Sequence, residues 1–440
     1  MTLQLNKDNI HMIMNPVFLA YAERYQEIYD DFQENVKSFG MTFAQNREQE
    51  IQALRAELTA FGVTQRNDGS SLVHGKLCGA CEACRTGVDS YTGLISLMCH
   101  RNCFFCFNPN QYEYDHLASA KKDWKRELER VYARNKNLRY IALTGGEPLL
   151  HKKEAVEFFS MARRLWPQIS MRLYTSGDLL DENTLALMAY AGLEEIRFSL
   201  KTEDHPAVME KVFSAMEMAK RFVSRVMVEM PVMPDAEEQM CAILDRLEAI
   251  GVYGINLLEL CFPFHNAQAF AERGYELRNP PYKTLYNFWY AGGLPVDGSE
   301  ILALKLMRYA MEKKYHLTVH YCSLENKHFG QIYMQNLGAA KDDTSYAMSE
   351  KDFYLKTVKA FGDDAICARK IFDEHRATQY IADEENGYIR FSPDCARLLR
   401  ETDMELAVSY NVREMRGREE VIRELRLDYA KASDFDSREL

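Results

Sequence analysis

Apolar positions along the chain follow two different periods, and the change falls near residue 93. Before it, stretches such as "VFLAYAERYQEIYDDF" and "EQEIQALRAEL" place aliphatic and aromatic residues at helical spacing. That spacing predicts two or three amphipathic helices over residues 1–75, covering some other surface. From residue 93 onward, short and mostly apolar runs alternate with amphipathic stretches. The runs at 93–98, 139–144, 170–175, 194–200, 225–232 and 254–260 predict strands, and the stretches at 118–135, 151–165, 182–192, 206–223 and 236–250 predict helices. Strands separated in this way imply a parallel sheet with right-handed crossovers. A closed barrel needs eight strands. The expected fold is therefore α/β, an open, partial (β/α)6 TIM-like barrel over residues 93–275.

After residue 261 the alternation stops, and Pro280 and Pro281 end any helix. A helix at 298–314 and a strand at 316–321 then lead into Cys322. From 346 the pattern predicts a mixed α/β region, with a strand at 387–391 and a charged final helix. The expected division is a helical extension (1–75), a cysteine segment (76–92), the barrel core (93–275), a post-barrel segment carrying Cys322 (276–345) and the C-terminal α/β region (346–440).

Composition narrows the function classes. With 440 residues, 47% apolar and 27% charged, the chain can bury a full core. No apolar run approaches the ~20 residues of a membrane span. The first residues lack a basic region followed by a cleavage site, so a cytoplasmic protein is expected. A net charge of −11 disfavours nucleic acid and anionic membranes. Residues 121–139 are the exception, with eight Lys and Arg against three acids. Trp124, Leu128, Val131 and Tyr132 keep helical spacing there, which reads as a basic solvated face on an amphipathic helix.

The chain has eleven cysteines, six of them between positions 78 and 106. In a chain without export signals, such clustering points to metal or redox chemistry rather than disulfides. "CHRNCFFC" places Cys99, Cys103 and Cys106 in a C-x3-C-x2-C array after the first strand. Three thiolates can hold three irons of a [4Fe–4S] cube and leave the fourth open. Zinc competes, but a closed zinc site prefers four ligands. At the end of the second strand, "LTGGEPLL" supplies Gly145, Gly146 and Glu147; the glycines are expected to let a ligand approach the backbone.

These two elements in this order, with aromatic Phe105 before the last cysteine, resemble the radical SAM superfamily. The resemblance implies a [4Fe–4S] cluster on Cys99, Cys103 and Cys106 whose open iron binds S-adenosylmethionine. It also implies reductive cleavage to a 5′-deoxyadenosyl radical that abstracts a substrate hydrogen atom. An electron donor of the flavodoxin or ferredoxin type is implied as well. Phe105, Gly145, Gly146 and Glu147 are the expected cofactor contacts, with Glu147 and nearby carbonyls receiving the cofactor's amino group. Strand ends supply further candidates: Thr175, Ser176 and Gly177, then Ser199 and Lys201, then Met230. His100, inside the triad loop, is read as a loop-packing residue or a ligand.

Upstream, "LCGACEAC" gives Cys78, Cys81 and Cys84, a set for a second [4Fe–4S] cluster, a zinc knuckle or no metal at all. Cys322, at the end of an apolar strand, is the candidate fourth ligand. With "NLLELCFPFHNAQAFAERGYEL" and the His-Tyr-Cys-Ser segment, this arrangement resembles a branch related to glycyl-radical-enzyme activases over residues 76–330. The long SPASM domain of peptide-modifying relatives is absent. Cys261, after the sixth strand, is a candidate hydrogen donor or a buried small hydrophobe. Cys241, Cys367 and Cys395 read as core. The aromatic stretch at 282–293 could line a pocket or cover the barrel.

The favoured function is modification of a ribosomally made precursor peptide by crosslinking, epimerisation or backbone splicing, with a separate small partner delivering the peptide. The alternatives are cofactor biosynthesis or RNA-base chemistry, and, disfavoured by the joint motifs, a non-enzymatic scaffold.

Overall fold

The structure, a computed structural model, describes residues 2–286 and 293–440. They divide into two compact units. One comprises residues 41–281 and 293–330, the other 2–40, 282–286 and 331–440. Among the described residues, no helix is long and apolar enough to cross a membrane.

The larger unit is built on seven parallel strands: Ser90–Leu94, Tyr140–Thr144, Ser170–Thr175, Glu195–Phe198, Arg225–Val232, Gly254–Glu259 and Thr318–Cys322. They lie side by side in chain order, and each is tied to the next by a helical crossover. The expected six strands gain a seventh because helix Ser299–Glu312 is buried along most of its length and returns the chain to the sheet. Antiparallel strands Ser71–His74 and Thr64–Arg66 extend the seventh strand's edge, giving nine strands in an open order. Five further crossover helices, Trp124–Arg134, Lys152–Leu165, Glu182–Tyr190, Pro206–Ala219 and Glu237–Ile250, correspond to the predicted stretches.

Alternation along these strands gives the sheet two unlike faces. Ile141, Leu143, Met171, Leu173, Ile196, Phe198, Val226, Val228 and Met230 share the register of Gly93, where an added Cβ would meet Phe158 of helix Lys152–Leu165. That is the helix-covered face. The opposite face carries buried Arg172, Glu195, Arg197, Asn256 and His320, with Glu229 in the same register. Buried charges are costly unless paired, so this face must supply its own partners.

The first strand ends four residues earlier than expected. Residues 95–98 leave the ladder because their backbone bonds elsewhere: Leu97 N donates to Leu117 O (2.7 Å), and Ile95 O accepts from Lys122 N (2.7 Å). The following helix begins at Trp124 rather than 118, with Asp123 accepting from Arg126 N as its N-cap.

In the smaller unit, helix Pro16–Ser38 belongs with the C-terminal sheet, so residues 1–75 are not one extension. Strand Leu3–Gln4 pairs with Glu419–Lys431, which pairs with Glu405–Arg416 and then Leu355–Phe361. The expected charged final helix is thus a strand. Arg416 and Glu419 pair across a two-residue turn whose first residue, Gly417, has φ +65°, and this favours a hairpin. Tyr388–Phe391 forms the strand expected at 387–391.

Candidate functional site

The triad loop lies past the C-terminal ends of the parallel strands and is tied to several of them. Arg101 pairs with Asp204 (2.9 Å) after the fourth strand, and His100 Nε2 lies 2.9 Å from Asp178 Oδ2 after the third. Beyond the sixth strand, Asn266 Nδ2 donates to Phe104 O (3.1 Å), and His265 Nε2 sits 2.8 Å from Cys106 O. Asn108 donates to Gly145 O (3.1 Å). His100 therefore acts here as a loop-packing residue. Cys99 is exposed, while Cys103 and Cys106 are half-buried. Burial pushes the Cys103 and Cys106 thiols up, opposed in each by the Lys201 ammonium. Phe105 packs edge-on against Phe104 (5.2 Å), which meets Phe270 in turn (4.9 Å).

The Gly-Gly-Glu turn closes against this loop's stem. Gly146 N donates to Ser96 O (3.2 Å) and Glu147 N to Met98 O (2.7 Å). A Cβ at Gly146 would sit 1.9 Å from Met98 O, and one at Gly145 2.3 Å from Ser96 O; Gly145 has φ +137°. The close approach that requires glycine is thus made by the protein's own backbone. Glu147 is buried, and its carboxylate accepts from Thr175 Oγ1, Ser176 N and Ser176 Oγ, each at 2.7 Å, and from Leu149 N at 3.0 Å. The side chain expected to face a ligand instead joins the second strand's turn to the third strand's end. Ser176 Oγ also reaches Asp178 (2.6 Å), continuing the link to His100.

Of the other strand-end candidates, Lys201 is buried beside Cys103 and Cys106, and Ser199 N donates to Thr175 O (2.9 Å). Gly177 has φ +82° and packs against Phe198. Met230 is fully buried on the helix-covered face, one residue out of phase with Glu229. It is core and not a wall of the site. Cys261 is buried, pairs with Pro295 in a short antiparallel ladder, and has its thiol pushed up to about 12 by burial. Cys395 is buried and Cys241 half-buried, but Cys367 is exposed, one residue off the buried stripe of Ala368 and Phe372. In the aromatic stretch, Tyr286 donates to Glu414 (3.0 Å); residues 287–292 lie outside the described residues.

The upstream cysteines lie against the charged face of the sheet. Lys76 N donates to Thr318 Oγ1 (3.1 Å) and Tyr253 OH to Lys76 O (2.8 Å), so the segment enters at the strands' N-terminal ends. Cys78 packs with Ala80 and Met227, and Tyr140 borders the same cluster. Arg197 Nη2 then donates to both Cys78 Sγ (2.9 Å) and Cys81 Sγ (3.2 Å). The same guanidinium meets Glu195 and Glu229, each at 2.7 Å. A hydrogen bond from Cys78 holds the Cys81 thiol well below its usual range, helped by Arg197 and His320, while Cys78 is held up. Asn256 receives His320 Nδ1 at 2.9 Å, and Ser71 Oγ lies 2.8 Å from His320 Nε2. Cys322, on this face by register, is buried close enough to Cys84 and Cys81 for their charges to raise its thiol, though burial is the larger cause; the result is about 12. Arg172 is buried near Cys81, and its Nε has no hydrogen-bond partner among the described residues.

Among the described residues, no three Cys, His, Asp or Glu side chains converge on a single ion. An iron–sulfur cube asks for less convergence, since each thiolate binds a different iron. Three sulfurs beside buried guanidiniums, with Cys322 close to two of them, fit an anionic sulfur-ligated group, and the triad beside Lys201 fits one too. Arg172, Arg197 and Asn256 lie against the upstream cysteines and pattern reading missed them, whereas His320 was read only as part of the His-Tyr-Cys-Ser segment. Their signal was present: polar and charged residues in the middle of strands that otherwise read as apolar runs.

Residues 94–247 match the Radical SAM superfamily. The chain is 23% identical over 319 residues to the "Putative glycyl-radical enzyme activating enzyme MJ0021" of Methanocaldococcus jannaschii, covering 70% of this chain and 81% of that protein. It is 34% identical over 111 residues to the PqqA peptide cyclase of Gluconobacter oxydans, covering 24% of this chain and 30% of the relative. Among solved structures it is similar to Streptococcus suis SuiB bound to S-adenosylmethionine, with a TM-score of 0.39, 13% identity and coverage of 55% and 52% of the two chains. It is also similar to anSMEcpe with bound AdoMet and Cp18Cys peptide, at 0.32, 18%, 40% and 51%. The chain thus spans about half the length of these solved relatives. By its matched segment, residues 94–247, the chain carries a radical SAM domain.

Proposed function

We propose that this chain binds a [4Fe–4S] cluster through Cys99, Cys103 and Cys106 and, with S-adenosylmethionine, performs hydrogen-atom abstraction on a ribosomally made precursor peptide. When bound, the cluster and cofactor supply the 5′-deoxyadenosyl radical. The observation that carries this reading is the tethering of the triad loop to the ends of the third, fourth and sixth strands and to the Gly145 turn. The Lys201 ammonium offsets the negative charge of an anionic cluster. His265 and Asn266 hold the carbonyls of Cys106 and Phe104, fixing the loop's outer side. Glu147, through Thr175 and Ser176, sets the turn on which the cofactor's amino group would rest.

The local similarity to PqqA peptide cyclase supports a peptide substrate. Cys78, Cys81, Cys84 and Cys322 are proposed to hold a second [4Fe–4S] cluster, with Arg197 and Arg172 as its counter-charges. With all four thiols engaged, that cluster serves electron transfer or structure rather than substrate ligation. A low-potential carrier supplies electrons, and a small partner delivers the peptide. Cys261 is retained as a candidate hydrogen donor to the product radical.

The test is anaerobic reconstitution with dithionite and S-adenosylmethionine, reading 5′-deoxyadenosine by mass spectrometry and iron by chemical assay. The expected result is 5′-deoxyadenosine from the wild type and none from Cys99→Ala/Cys103→Ala/Cys106→Ala. Turnover retained in the triple variant overturns the proposal. About eight irons per chain support two clusters, and about four argue against the upstream one.

A further inference from the structure

We propose that the outward face of helix Trp124–Arg134, together with Lys136, is the docking surface for a small acidic electron-carrier protein. This rests on the function proposed above, which consumes one electron per cofactor cleaved; the carrier is the reductant and is oxidised by one electron.

Three observations carry it. First, the helix's inner stripe is used up by packing: Trp124 and Leu128 are buried, with Trp124 5.8 Å from the Phe158 ring. The outer stripe holds Arg126, Arg130 and Arg134, spaced four apart so that they share one side. All three are exposed, as is Lys136. Lys121, Lys122 and Lys125 are each paired with a glutamate: Glu154, Glu127 and Glu157. Arg126, Arg130, Arg134 and Lys136 have no ion pair among the described residues. Only Asp123 and Glu129 add exposed negative charge on this helix, and Asp123 is engaged as its cap.

Second, the chain as a whole carries −11. An acidic protein is repelled by such a molecule except where cations are concentrated and unpaired, so the field steers it to this stripe. Of the aromatic rings here on which bases could stack, Trp124 and Trp166 are buried and half-buried Tyr132 is engaged edge-on by Trp166 (5.3 Å). A single-stranded nucleic acid therefore loses its usual platform here.

Third, the stripe adjoins the upstream cysteines. Asn135 Nδ2 donates to Val88 O (3.1 Å), and Arg139 N and Tyr140 N donate to Asp89 O (3.1 and 3.0 Å). Val88 is four residues from Cys84, so no more than about 14 Å of chain separates them. A carrier seated on the stripe delivers its electron next to the segment that leads into the charged face of the sheet.

The probe is an acidic flavodoxin carrying a fluorescent label, titrated with the full-length protein and read by anisotropy at rising salt. The expected result is binding that weakens steeply with salt. Arg126→Glu/Arg130→Glu/Arg134→Glu should weaken it at least about tenfold at low ionic strength. The same variant should raise the KM for reduced flavodoxin in 5′-deoxyadenosine formation while leaving dithionite-driven formation unchanged. Lys211→Glu/Lys313→Glu/Lys370→Glu, with the same change in net charge, should do neither. Equal losses in both triple variants overturn the proposal by reducing it to overall charge. Unchanged flavodoxin binding overturns it, and so does a variant that loses only binding to a single-stranded RNA probe. Absence of 5′-deoxyadenosine from the wild type under dithionite overturns the function proposed above, whereas anisotropy judges the surface by itself.

Discussion

The two cysteine sets are held in opposite ways. The triad sits on a loop, partly open to solvent, fixed from outside by single hydrogen bonds from several strand ends. The upstream run lies against a wall of buried charge, where one guanidinium touches two sulfurs and two carboxylates. The difference teaches where each site's tolerance lies. A loop with many weak tethers can lose one and keep its place. A buried charge that is the shared partner of four groups cannot be lost without weakening all four at once, although Glu195 keeps Arg225 and Glu229 keeps Asn256.

Arg197→Met should be the sharpest break. Removing one partner of a buried ion network costs about 3–5 kcal/mol, measurable by urea unfolding, and iron beyond the triad's share should be lost with it. A variant of wild-type stability and iron content would erase the contrast. Gly146→Ala comes next, on the triad side, because its Cβ meets Met98 O and the turn must shift. A displacement of that size near reacting groups lowers rate on the order of 100-fold, to be read as 5′-deoxyadenosine formed per minute with iron content unchanged. Glu147→Gln replaces one of two acceptor oxygens that together take four donors; the loss should be about 1–3 kcal/mol, with a smaller fall in cofactor cleavage than at Gly146. At the bottom of the scale, Cys367→Ser, on an exposed helix position, should move stability by less than about 0.5 kcal/mol and leave the iron count unaltered.

What the sequence disclosed follows the same division. Triad spacing and the Gly-Gly-Glu turn are local, so they could be read before any folding was known. The strand–helix alternation likewise located four crossover helices to within four residues, while the first begins six residues later than expected. Other features depended on long-range pairing. Residues 95–98 look like strand, but their backbone bonds to Leu117, Lys122 and the Gly-Gly-Glu turn. Glutamate 147 looks like a ligand-facing acid, yet the third strand brings Thr175 and Ser176 onto its carboxylate. The hairpin ending in Glu419–Lys431 carries charges at a spacing that suggested a helix, and only pairing with Glu405–Arg416 fixes it as strand. Met230, near a strand end, looks like a wall of the site, but its phase puts it on the helix-covered face, and a strand's phase is invisible until a neighbour's register is known.

The order of the large sheet has a mechanical consequence. Its edges are the strands Thr64–Arg66 and Ser90–Leu94, and nothing in the ladder joins them. The chain leaves His74, beside one edge, and reaches Ser90 at the other, so residues 75–89 link the two edges, and all three upstream cysteines ride on that link. A group held by these sulfurs together with Cys322, as proposed above, would tie that link to the seventh strand as well. Loading such a group would act as a clasp, and the looseness of the whole sheet would then be set by the fullness of a site remote from the reacting bond.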